Sequence, residues 1–120
     1  MKNVVVLGAS AKSDRYAFMA MERLQARGYR AIPVNPSVNQ VLGEQCYPSI
    51  CDVPGPIHTV TMYLSAERST ALTDEIIQAK PHRIIFNPGA ENDALAKAAK
   101  EAGIEIINSC TLVMLQAGTF

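Results

Sequence analysis

Val4-Val5-Val6-Leu7-Gly8-Ala9-Ser10 decides how this chain is read. Three β-branched residues lead into a glycine, and a helical pattern follows almost at once. A buried strand that breaks at glycine and turns into a helix is the usual way to present backbone N–H groups to a phosphate. The same logic can be followed along the rest of the chain.

Residues 3–7 read as a fully buried strand. Residues 14–27 read as a helix with Ala17, Ala20, Met21 and Leu24 on one face, closed by Gly28. Residues 30–34 form a second strand, ended by Asn35-Pro36 because proline restricts the residue before it. Residues 36–56 read as irregular, with a short helical turn near 49–53. A third strand spans 58–64. Ser65 caps the helix that follows, Glu67 suits its first turn, Leu72, Ile76 and Ile77 form its apolar stripe, and Pro81 stops it. Residues 83–86 make a fourth strand, ended by Asn87-Pro88-Gly89. A helix spans 92–102, a fifth strand 104–107 and a last helix 111–117.

Strands this apolar, alternating with helices, imply an α/β fold: a doubly wound, Rossmann-like parallel sheet of five strands with helices on both faces. The expected strand order is 3-2-1-4-5. At 120 residues the chain is expected to be a single domain, 1–120. Ligands of such sheets bind beyond the carboxyl ends of the strands. Residues 8–15, 35–37, 63–66, 87–91 and 108–110 are expected to converge there.

Composition narrows the ligand. Eleven basic residues balance eleven acidic ones, so no global field attracts nucleic acid or an anionic membrane. Any anion must be held by local geometry. The apolar run before Ala9-Ser10-Ala11 is too short for the roughly 7–15 apolar residues of a signal sequence, and no run approaches the ~20 that span a bilayer. Three cysteines, an odd number, form no disulfide framework, and a cytoplasmic location is expected.

A nicotinamide dinucleotide fits poorly. Only Gly8 of a G-x-G-x-x-G pattern is present, and no Asp or Glu occurs from Arg23 to Gly43, where an acid for the ribose belongs. Lys12 and Arg15 lie at a helix N-terminus, where cations oppose the helix dipole unless an anion sits between. Cys46, Cys51 and His58 lack the spacing of a zinc site. Cys110 falls at the carboxyl edge of the sheet, where it is expected to fill space as a small apolar side chain, a reactive thiol being the alternative. His58 and His82 fall at the amino edge, the wrong side for catalysis. Glu91 lies at the right edge, either as a base or as a helix-terminal acid.

Val6-Leu7-Gly8-Ala9-Ser10, Gly28-Tyr29, Pro33-Val34-Asn35-Pro36, Leu42-Gly43-Glu44-Gln45-Cys46-Tyr47-Pro48-Ser49-Ile50, Glu101-Ala102-Gly103 and Cys110 together resemble the small stand-alone CoA-binding proteins. These are similar in turn to the N-terminal CoA-binding domain of the succinyl-CoA synthetase alpha subunit. The resemblance covers nearly the whole chain; segments 87–91 and 108–114 depart from the family pattern. It implies binding of coenzyme A or an acyl-CoA without catalysis, the reacting groups of related enzymes residing on other domains. It implies that Gly8, Ala9, Ser10, Lys12, Ser13 and Arg15 hold the pyrophosphate. Asn35, Pro36 and Ser37 would flank the adenosine, and Leu64, Ser65 and Ala66 would border the nucleotide from the other side. An NAD(P)-dependent or other nucleotide-using enzyme, and a regulatory partner-binding module with a decayed site, stay open as alternatives, as does assembly with itself or with a partner enzyme.

Overall fold

The computed structural model describes residues 2–120. Its main sheet has five parallel strands: β1 (Asn3–Leu7), β2 (Arg30–Val34), β5 (Thr59–Met62), β6 (Arg83–Phe86) and β7 (Glu105–Asn108), in the order β2-β1-β5-β6-β7. The doubly wound architecture is as expected. The order is not: the third long strand lies against the free flank of β1, with Leu7 opposite Met62, rather than outside β2. Pro33 explains why. Proline has no N–H and is confined to sheet edges. The Pro33 carbonyl points outward and accepts from Tyr47 N–H at 3.0 Å, so β2 is left as an edge strand beside which only an isolated bridge, Val34 to Tyr47, can form.

Period-two alternation splits the central strands between two cores. Val5 and Leu7 face one side with Val60, Met62, Ile84 and Phe86, covered by α3 (Thr73–Gln78) and α4 (Asp93–Glu101). Val4 and Val6 face the other, covered by α1 (Tyr16–Ala26) and α5 (Thr111–Ala117), with Met21, Leu24 and Leu115 completely or almost completely buried.

Two local features differ from expectation. The helix after β5 is two pieces, α2 (Ala66–Thr70) and α3, with a break at Ala71-Leu72 beside which Thr73 Oγ1 donates to the Thr70 carbonyl at 2.8 Å. The segment expected to be irregular contains a small hairpin, β3 (Gln40–Val41) and β4 (Glu44–Gln45). Its two-residue turn, Leu42-Gly43, has φ of +49° and +81°, the positive pair that a tight hairpin of matching twist requires. A single 3-10 turn, Ile50–Asp52, follows, capped by Ser49.

Candidate functional site

The site is built around the corner between β1 and α1. Tyr63 N–H donates to the Leu7 carbonyl at 2.9 Å, carrying the chain after β5 hard against Gly8. A Cβ on Gly8 would lie 3.0 Å from Leu64 Cδ2 and 3.2 Å from the Tyr63 carbonyl carbon, and φ there is +92°. Glycine is therefore required by the protein's own packing. The amides of Gly8 and Ala9 both donate to the Val34 carbonyl, at 3.0 and 3.2 Å. Asn35 completes the joint: its Nδ2 donates to the Ala9 carbonyl at 2.7 Å, and its Oδ1 accepts from Ser37 N–H at 2.8 Å. The Asn-Pro motif thus bolts the end of β2 to the turn after β1.

These bonds move the anion-binding capacity along the chain. The expected donors, the Gly8 and Ala9 amides, are already engaged. Among the described residues the amides of Tyr16, Ala17 and Phe18, in the first turn of α1, have no acceptor. That turn has no side-chain cap and no acidic residue, although such positions favour both. Lys12 and Arg15 stand beside it, both exposed; Arg15 Nε lies 4.0 Å from Asp14 Oδ1.

Three compartments run along this edge. A central cleft of about 470 Å³ is lined by Gly8, Ser10, Lys12, Arg15 and Arg68 and walled by Tyr63 and the 87–90 turn. It carries three cations and no carboxylate. On one side lies a largely apolar slot of about 310 Å³ between Pro36, Pro48, Ile50, Leu64 and Leu72, with Asn35, Ser49, Arg68 and Glu75 as its polar members. Gly8, Asn35 and Arg68 line both spaces. On the other side Tyr16, Tyr63, Asn87 and Pro88 are shared with an apolar chamber of about 260 Å³ that adds Cys110 and Leu112.

Buried polar residues hold the far wall. Asn87 Nδ2 donates to Thr61 Oγ1 and to the Met62 carbonyl, each at 2.8 Å, while its Oδ1 accepts from Thr111 N–H at 2.8 Å. One side chain thereby ties β5, the end of β6 and the start of α5. Burial pushes the Tyr63 phenol up to about 12, so it stays neutral as part of the wall. Glu91 is occupied locally, accepting from Gly89 N–H at 2.9 Å.

Of the expected site residues, Gly8, Ala9, Ser10, Lys12 and Arg15 line the cleft, Asn35 lines cleft and slot, and Pro36 and Leu64 wall the slot. Ser13, Ser37, Ser65 and Ala66 line neither. Ser37 serves Asn35, Ser65 caps α2 by accepting from Arg68 N–H at 3.4 Å, and the Ala66 carbonyl accepts from Asn92 Nδ2 at 3.1 Å. Arg68, Ser49 and Glu75 were not expected. A basic residue three positions after a cap at the carboxyl edge was the available signal for Arg68. Cys46 is buried, its Sγ 3.6 Å from the Asn35 carbonyl, and burial raises its pKa; Cys51 is exposed. His58 and His82 pair at the amino edge, ring centroids 5.4 Å apart. No helix among the described residues is long and apolar enough to cross a membrane.

Sheet, crossovers and edge-on cleft define a Rossmann-like α/β protein. A family model described as a CoA binding domain matches residues 2–116. The chain belongs to that family. The crystal structure of an uncharacterised protein, 42% identical, superimposes with a TM-score of 0.94 over 100% of this chain and 98% of that one. The uncharacterised protein YneT of Bacillus subtilis is 27% identical over 118 residues, 98% of this chain and 87% of YneT. The ADP-forming acetate–CoA ligase II of Archaeoglobus fulgidus is 32% identical over 68 residues, 55% of this chain but 10% of the ligase.

Proposed function

We propose that this protein binds coenzyme A or an acyl-CoA and performs no reaction of its own. The observation that carries the reading is the order of the three compartments: apolar slot, cationic cleft, apolar chamber. CoA has the same order of parts, a flat base, a charged diphosphate and a long pantetheine arm. The base enters the slot between Pro36 and Leu64. Lys12, Arg15, Arg68 and the free amides of α1 hold the phosphates. The arm runs past Tyr63 and Pro88 toward Cys110. Both histidines lie at the amino edge and Glu91 is engaged by Gly89 N–H, which supports a binding role without chemistry of its own. The three unpaired cysteines suit a cytoplasmic location, and we regard residues 1–120 as one domain.

Calorimetry and thermal shift with CoA, acetyl-CoA, NAD, NADP and ATP test the proposal. A ligand at 100 times its Kd adds about 2.7 kcal/mol of stability. CoA or acetyl-CoA is expected to give the largest shift. Tighter binding of NADP, or no response to any of the five, overturns the reading.

A further inference from the structure

The apolar slot contains one feature that burial of a base alone does not require. Glu75, on α3, lines it, and Ser49 holds that carboxylate in place: Ser49 Oγ accepts from Cys51 N–H at 3.2 Å and donates to Glu75 Oε2 at 3.1 Å. The accepted bond directs the hydroxyl proton toward Glu75. The second carboxylate oxygen, Oε1, has no hydrogen-bond partner among the described residues, and no ion pair reaches it. A carboxylate offers acceptors only. Pro36, Ile50, Leu64 and Leu72 surround it, and Arg68, which also lines the slot, makes no ion pair with it; the open oxygen favours a ligand edge that presents a donor and disfavours one that presents a carbonyl to it.

We propose, resting on the CoA reading above, that Glu75 selects the base, accepting from the exocyclic amine of adenine and rejecting bases with a carbonyl at that position, with Ser49 as its positioning residue. Adenine carries N6–H₂ where guanine carries O6, and hypoxanthine shares that carbonyl. Replacing a charge-assisted bond by two facing acceptors weakens binding by roughly 10- to 100-fold.

The test is calorimetry of the full chain with CoA and with its analogue carrying hypoxanthine in place of adenine. The unmodified protein is expected to prefer CoA by at least about tenfold. Glu75→Gln, whose amide can donate or accept, is expected to bring the two ligands within roughly threefold of each other, and Ser49→Ala to fall between. Equal affinities in the unmodified protein overturn this proposal and leave CoA binding standing. Undiminished preference in Glu75→Gln also overturns it. Binding of neither ligand removes both readings together. If Glu75→Gln fails to fold, the ratio in the unmodified protein and that in Ser49→Ala decide.

Discussion

Substituting alanine at Gly8 and at Gly103 separates two causes of glycine dependence. Both residues have positive φ, +92° and +84°. A Cβ at Gly103 meets nothing within 4 Å, whereas one at Gly8 meets Leu64 Cδ2 at 3.0 Å and the Tyr63 backbone at 3.2 Å. Gly103→Ala therefore carries the conformational penalty alone, about 1–2 kcal/mol. Gly8→Ala adds an overpacking cost of about 1–3 kcal/mol, because Leu64 can rotate but the Tyr63 carbonyl carbon is fixed by the bond from Tyr63 N–H to Leu7. At roughly 2.1 cal/mol/K per residue, 120 residues give an unfolding entropy of about 250 cal/mol/K, so each kcal/mol moves Tm by about 4 °C. Gly8→Ala is expected to melt roughly 4–12 °C below Gly103→Ala by differential scanning calorimetry. Equal melting temperatures would refute the claim that this glycine exists for strand-end packing. A larger substitution such as Gly8→Val compounds the clash, so lost ligand affinity in that variant would report a damaged corner as much as a blocked phosphate.

Two further outcomes follow from the geometry. Arg68→Ala is expected to weaken CoA binding by roughly 5- to 30-fold, the exposed setting discounting a full charge-assisted bond, and to flatten the dependence of log Kd on salt measured by titration; unchanged affinity at low salt would remove Arg68 from the site. Tyr63 has its pKa raised by burial to about 12. Its stabilising contribution is complete below the ordinary value of about 10 and is lost as pH rises through the folded value; denaturant midpoints of Tyr63→Phe should fall less between pH 10 and 12 than those of the unmodified chain, and parallel curves would contradict the shift.

Much of the fold could be read because it rests on local signals. The Val4-Val5-Val6 run, Gly28 and Gly103 after their helices, and Ser65 as a cap each act within a few residues. Strand order depends on long-range pairing, yet Pro33 already carried the relevant constraint: a missing N–H on the outer flank of β2 excludes a full neighbour. The hairpin at 40–45 was hidden because its turn places Leu42, not Asn or Asp, at positive φ. At the site, residues contributed by the corner itself were legible from the glycine turn and the Asn-Pro motif. Arg68, Ser49 and Glu75 were not, since they reach the ligand space only through packing of α2, α3 and the 3-10 turn. Ser13, Ser37, Ser65 and Ala66 were included by adjacency in sequence, and adjacency does not fix which way a side chain faces.

The joint made by the Val34 carbonyl and Asn35 has a consequence for how this protein changes over time. The groups that maintain the corner are main-chain amides and one carboxamide, all satisfied internally. The cations of the cleft, Lys12, Arg15 and Arg68, which we propose meet the ligand, are solvent-facing side chains that make none of the corner's bonds. Gly8, Ala9 and Asn35 belong to both frame and site wall, but the charged side chains belong to the wall alone. Mutation can retune what is recognised without loosening what does the holding, which gives a lineage room to exchange one cargo for another on an unaltered chassis.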